Sequence, residues 1–299
     1  MHRAATGPLD RVSQLLASTA ASGTCDLSHF GHRTPGRPFI RTFFLFPSRG
    51  AAIFVTLDNM MLSIALRGDT TRFPGNTLPA LRSALRAGSD LVKVDVHLSA
   101  DGYPVLADER VITTNGSPPR AVSDLTLAEL ATVRTDIEHR VPTLMEVLAE
   151  FPARDVPALL VAADTPEAVL ATDTLLRERG LADRLLFTGP VEVLNALRGR
   201  STRAHLLLPW EEPGPPPDDL THTLRPTFLG THHTLLNREL VEDLQHRGFR
   251  VAAWAVNEYS EMARLAGMGV DAAATDRPAE LASLAHGREQ GDLMAPGPA

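Results

Sequence analysis

Lysine is almost missing from this sequence. Of 29 basic residues only Lys93 is a lysine, and the others are arginines. Alongside so much Ala, Arg, Gly and Pro, this composition reads as a GC-biased coding sequence, in which lysine is rare. Cysteine is limited to Cys25, which excludes a disulfide framework and a multi-cysteine zinc site. Positive charge is also in deficit. The balance is 29 − 36 = −7, which argues against a nucleic-acid partner, since general nucleic-acid binding needs a basic surface. Long apolar runs are absent. The nearest, at 43–57, is broken by Pro47, Ser48 and Arg49, so no membrane span is expected. A lipoprotein-type leader at 15–25 is opposed by its weak apolar run and by Thr24 before the cysteine. The expectation is a soluble cytoplasmic protein. What the chain does have is 43% hydrophobic and 22% charged residues, enough to bury a core.

Residues 1–59 are poor in acids and rich in Ser, Thr, Gly and Arg, with no sustained helical or strand period. They read as a loose extension, with a folded cap as the alternative. From residue 61 the pattern alternates. Strands are expected at 61–66, 91–98, 157–163, 184–188, 203–208, 227–230, 250–256 and 270–275, and a short one at 103–107. Helices are expected at 77–87, 126–133, 143–151, 166–179, 191–198, 238–247, 260–266 and 279–284. Thr126 with Glu129, and Thr143 with Glu146, match the capping box, in which hydroxyl and carboxylate each take an orphan backbone N–H. A proline-rich loop at 210–218 follows the fifth principal strand, and the tail from His286 is Gly/Pro-rich. Eight principal strands with helices between them predict a (β/α)8 barrel over 60–285, with a flexible tail at 286–299. A doubly wound open sheet is the runner-up, although Leu66-Arg67-Gly68 is not a phosphate loop.

In a barrel the chemistry sits at the C-terminal strand ends. Those ends carry Arg67, the segment Lys93 to His97, Asp108, Asp164, Trp254, Asn257 and Asp276. Lys93, Asp95 and His97 alternate along one strand and therefore share a face. Three polar side chains facing inward need partners or a ligand. His232 and His233 are adjacent, so on a strand they would point to opposite faces.

The order and spacing of several stretches resemble the glycerophosphodiester phosphodiesterase family. They are Arg67-Gly68, Pro74-x-Asn76-Thr77, Lys93-x-Asp95 through Asp101-Gly102, Thr113-Thr114-Asn115-Gly116, Leu125-Thr126-x-x-Glu129-Leu130, Pro142-Thr143-Leu144-x-Glu146, Trp254 through Asn257, and Thr275-Asp276-Arg277-Pro278. The resemblance implies a barrel that hydrolyses glycerophosphodiesters to glycerol 3-phosphate and an alcohol, with Ca²⁺ or Mg²⁺ and two histidines as acid and base. It also implies that Arg67 contacts phosphate and that Trp254 lines the substrate site, with Asn257 beside it.

The departures fall on that chemistry. The two histidine positions are Leu66 and Ala107, neither of which can exchange a proton. Gly75 stands where the resemblance implies the glutamate of a Pro-Glu-Asn-Thr motif, and Lys93-x-Asp95 where it implies a Glu-x-Asp metal pair. Ala162-x-Asp164 stands where it implies a glutamate and a lysine. Asp95 is the sole surviving metal ligand, whereas Ca²⁺ takes 6–8 oxygens and Mg²⁺ an octahedral set. No cofactor is therefore expected.

Two readings of Lys93 stand. Its ammonium replaces the metal charge and, with Arg67, holds a phosphate. Alternatively, it forms an internal ion pair with Asp95, Asp108 or Asp164. Three functions follow: an inactive or weakly active relative that binds a small phosphorylated ligand; a phosphodiesterase rebuilt on Asp95, Asp108 and His97; or a barrel kept for a partner contact. The sequence carries no sign of oligomeric state.

Overall fold

The structure is a computed structural model, and it describes residues 42–45, 53–56, 61–112, 118–133, 140–150, 158–181, 185–212 and 214–286. The chain divides into two units, Met1–Asn59 and Met60–Ala299. In the first, Thr42–Leu45 pairs antiparallel with Ile53–Thr56. Sequence periodicity assigned no strand there, because Thr-Phe-Phe-Leu and Ile-Phe-Val-Thr do not alternate apolar with polar residues. The motif Thr113 to Gly116 lies outside the described residues.

The second unit is built on eight parallel strands: β1 Leu62–Leu66, β2 Leu91–Leu98, β3 Ala158–Ala163, β4 Leu186–Thr188, β5 His205–Pro209, β6 Phe228–His232, β7 Arg250–Trp254 and β8 Ala272–Thr275. Each pairs with the next, and β8 pairs back onto β1, with Ala272 opposite Leu62. That last pairing closes the sheet into a (β/α)8 barrel and excludes the open sheet. A short strand, Pro104–Leu106, lies antiparallel on the end of β2.

Alternation along the strands sorts the core into two layers. Ile64, Leu91, Leu160, Leu186, Leu207, Phe228, Ala252 and Ala272, one from each strand, form a buried cluster inside the barrel. Val92, Val94, Val96, Leu159, Val161, Val251 and Ala253 belong to the cluster that also contains the helical residues Leu81, Leu144, Val169, Leu194 and Leu265. A fully buried Leu or Val contributes about 1.5–3 kcal/mol. On β2 the inward register therefore runs Leu91, Lys93, Asp95, His97, from a plugged floor toward the mouth.

Helices α1 Leu78–Arg86, α2 Leu127–Leu130, α3 Leu144–Glu150, α4 Pro166–Glu178 and α5 Val191–Arg200 follow the first four strands, and α6 Asp218–Leu224, α7 Arg238–His246, α8 Tyr259–Met268 and α9 Pro278–Ala285 follow the rest. Both expected capping boxes form. Thr126 Oγ accepts from the Glu129 N–H at 3.3 Å, and Glu129 accepts from the Thr126 N–H at 2.8 Å. The matching contacts at Thr143 and Glu146 are 3.1 and 2.9 Å. Helix α6 was not expected. Its seven residues carry no long apolar period, and it is started by Pro217 and stopped by Arg225 in the left-handed conformation, φ 45°. His286, expected in a loose tail, places its Nε2 at 3.1 Å from Asp90. No described helix is long and apolar enough to cross a membrane.

Candidate active site

The C-terminal mouth of the barrel holds a cavity of about 910 Å³. Small inward residues open it: Ala162 on β3, Ala252 on β7 and Ala274 on β8. Its polar lining includes Arg67, Lys93, Asp95, His97, Asp108, Arg110, Asp164 and Glu211, with Trp254 as the large aromatic.

The centre of the site is a chain of contacts through Asn76. The Lys93 ammonium donates to Asp95 Oδ1. Asn76 Nδ2 donates to Asp95 Oδ2 at 3.0 Å and to Asp108 Oδ1 at 2.8 Å, and Asn76 Oδ1 accepts from the Asp95 backbone N–H at 3.0 Å. Asn76 is 1% exposed and stands at φ 54°. The left-handed turn aims its amide at both acids, and asparagine tolerates it better than most residues. Sequence reading saw Asn76 only as part of a motif and did not assign it this clamp.

Arg67 is also left-handed, φ 59°, and is pinned by two backbone bonds: its N–H donates to the Lys93 carbonyl and its carbonyl accepts from the Asn76 N–H, both at 2.9 Å. A non-glycine residue in this region costs of order 1–3 kcal/mol, so the fold holds Arg67 there against a local preference. Its Nη2 reaches Asp276 Oδ1 at 3.4 Å. Asp276 also accepts from Thr70 Oγ1 at 3.2 Å and Asn257 Nδ2 at 3.0 Å. Asn257 Oδ1 in turn accepts from Thr275 Oγ1 and the Asp276 N–H. Asn257 therefore acts on the site through Asp276 and Arg67.

His97 Nδ1 lies 3.6 Å from Asp164 Oδ2, and Asp164 also accepts from Arg110 Nε. Leu66 lines the cavity beside Arg67, whereas Ala107 is buried with Val105 and Leu130 in a separate cluster. His232 and His233 serve the loop after β6: His232 Nδ1 contacts Thr234 Oγ1 at 2.8 Å, and His233 Nδ1 contacts Glu261 at 3.2 Å. The Glu261 carboxyl is held below its usual range, first by Arg264 and then by His233.

On the far side of the mouth, the Trp254 ring crosses Gly230. A Cβ there would lie 2.0 Å from Trp254 Cζ3, so only glycine leaves room for the ring. Trp254 Nε1 donates to Glu211 Oε1 at 3.4 Å. The expected loop at 210–218 does border the cavity, through Glu211, and Trp210 Nε1 ties it to the Gly214 carbonyl at 2.9 Å.

A divalent cation does not fit this donor set. Both Asp95 oxygens already take donors, one of them a cation, and Ala162 offers no oxygen on its side chain. At Gly75 an added Cβ would lie 2.9 Å from Asp108 Oδ1. Among the described residues no group of three His, Cys, Asp or Glu is placed to hold a metal ion.

Residues 67–280 match the model of the Glycerophosphoryl diester phosphodiesterase family. The chain belongs to this family. A glycerophosphodiester phosphodiesterase of Caldanaerobacter subterraneus is 26% identical over 250 residues, covering 75% of this chain and 97% of its relative. Among solved structures, a glycerophosphodiester phosphodiesterase from Parabacteroides distasonis superposes with a TM-score of 0.66 at 23% identity, covering 78% of this chain and 99% of that one. An Oleispira antarctica phosphodiesterase, in complex with its product sn-glycerol-3-phosphate, superposes with a TM-score of 0.65 at 24% identity, covering 75% and 96%. The barrel is the family's barrel.

Proposed function

We propose that this chain binds a small phosphorylated ligand of the glycerophosphodiester class in its barrel mouth, through Arg67 and Lys93, and does not cleave it by the family's metal-assisted route. The carrying observation is the Lys93 ammonium, oriented by Asp95 within the same cavity as Arg67. Donors remain for an anion. An ammonium has three N–H groups and a guanidinium five, while among the described residues Lys93 gives one side-chain contact and Arg67 one long one. Phosphate oxygens favour charge-assisted bonds from both groups. Leu66 and Ala107 provide no proton carrier, and acid–base catalysis contributes roughly 10²–10⁴-fold where it exists. The phosphorylated product held by the Oleispira antarctica relative supports this ligand class.

A rebuilt hydrolase is the second reading, favoured by Asp108 and His97 lining the same cavity as Lys93. Hydrolysis of glycerophosphocholine by the full chain, with Ca²⁺, Mg²⁺ or chelator and an Asp95→Ala control, separates the two. No turnover above the control is the expected result. Turnover that the control lacks would establish the rebuilt hydrolase.

A further inference from the structure

A second cavity, of about 440 Å³, lies outside the barrel wall, between β6 and α7 and against the loop that follows β5. Along β6, Phe228 packs inside the barrel and Leu229 in the outer layer, so Thr231, two residues on, shares the outer face. This cavity has no lining residue in common with the mouth cavity. The loop after β5 serves both: Glu211 lines the mouth, while Trp210 and Glu212 line the outer cavity. The outer volume is that of a small-molecule pocket.

Its floor is apolar, with Leu229, Leu244 and Val251 all buried. Trp210 makes a wall that is fixed in advance: its backbone N–H donates to the Gly230 carbonyl at 2.7 Å and its Nε1 to the Gly214 carbonyl at 2.9 Å. Two kinds of oxygen in the lining are left unmatched. Thr231 is 9% exposed, and among the described residues its hydroxyl has no hydrogen-bond partner. Burying a hydroxyl without a partner is unfavourable. Glu212 and Glu239 stand exposed at the rim and, among the described residues, have no cationic partner. The nearby arginines are engaged elsewhere. Arg238 donates to the Gly267 carbonyl and pairs with Glu242, and Arg247 pairs with Asp243, the third acid of the lining, at 3.5 Å.

We infer that this outer cavity is a second ligand site, which takes a small organic ammonium with an apolar body. The body covers the apolar floor beside the Trp210 indole, and the ammonium donates to the Thr231 hydroxyl and faces the rim carboxylates. The same rim repels anions, so the phosphorylated ligands proposed for the mouth are excluded from it. The site is independent of the phosphate site and stands or falls separately.

The test is calorimetric titration of the full chain with phenethylamine, with phenethyl alcohol, in which a hydroxyl replaces the ammonium, and with ethylamine, which lacks the ring. Phenethylamine is expected to bind about three- to tenfold tighter than the alcohol, as exposed cation–aromatic and ion-pair contacts allow. Ethylamine should bind at least about tenfold more weakly than phenethylamine, because it leaves the floor uncovered. Glu212→Gln combined with Glu239→Gln, both at exposed positions, should bring the amine down to the alcohol, while Glu242→Gln, on the same helix but outside the cavity, keeps the preference. A Trp254→Phe chain leaves Trp210 as the only tryptophan, and its emission should change as the amine saturates. Equal binding of amine and alcohol, a preference that survives the double substitution, or Trp210 emission that stays constant at saturation overturns the site. A preference that is lost instead in Glu211→Gln places the amine in the mouth and overturns it equally.

Discussion

Asn76 holds Asp95 from the side that Lys93 does not. The ammonium takes one oxygen of the carboxylate and the amide takes the other, at 3.0 Å, while the same amide nitrogen reaches Asp108 at 2.8 Å. One buried neutral side chain thus keeps two acids apart and leaves the lysine on only one of them.

Asn76→Asp would place a third carboxylate between Asp95 and Asp108. Like charges so close disfavour ionisation, and the lost donors leave both acids short of partners. The variant should lose about 1–3 kcal/mol of stability at neutral pH. Because an acid crowded by acids has a raised folded pKa, the deficit should be full above that pKa and shrink as pH falls through it toward about 4, the ordinary carboxylate value. Urea denaturation at several pH values checks both the size and the trend.

Lys93→Met keeps the length of the side chain and removes the charge. The pair is partly exposed, 25% and 20% for the two side chains, so its loss is smaller than for a fully buried pair. A decrease of about 1–2 kcal/mol is expected. Thermal unfolding of the variant checks it, and a stability gain would show that the pair is a cost of the site.

Glu146 carries a pH-dependent part of the barrel's stability. Its carboxyl is held down to about 2 from an ordinary 4.5, first by the Arg140 guanidinium and then by the N–H and hydroxyl of Thr143. A folded pKa below the unfolded one means that the contribution is present above 4.5 and is lost as pH falls toward 2. Glu146→Gln should therefore be less stable than wild type at neutral pH, and the two curves should converge through that window. Parallel curves would contradict it.

Gly230→Ala tests how the mouth holds its tryptophan. The new Cβ would meet Trp254 Cζ3 at 2.0 Å and Leu207 Cδ2 at 2.8 Å. Overpacking of this kind costs roughly 1–3 kcal/mol. A shifted tryptophan emission maximum and a lower melting temperature are the expected readouts.

The barrel was legible because it rests on local rules. Strand alternation predicted that Lys93, Asp95 and His97 share the inward face, and all three line the cavity. Two capping boxes were read from their residue types alone. The contacts that shape the site were not legible, because each joins residues distant in the chain: Asn76 to Asp95 and Asp108, Arg110 to Asp164, and Trp254 to Glu211. Lys93 shows the boundary well. The composition marks it as unusual and its spacing marks it as inward, but its pairing with Asp95 emerges only in the folded chain, where Arg110 takes Asp164 and Asn76 reaches Asp108. Helix α6 was missed for a different reason, since seven residues behind a proline-rich loop give too short a period to detect.

The proposed site holds the ligand's phosphate with a lysine and an arginine and without a metal ion. Calorimetric titration of sn-glycerol 3-phosphate into the full chain, in chelator and again with Ca²⁺, tests it most directly. The expected result is binding in chelator, no gain with Ca²⁺, and at least about tenfold weaker binding in Lys93→Met, the size of one charge-assisted contact. Binding that requires Ca²⁺, or that is indifferent to Lys93→Met, would contradict it.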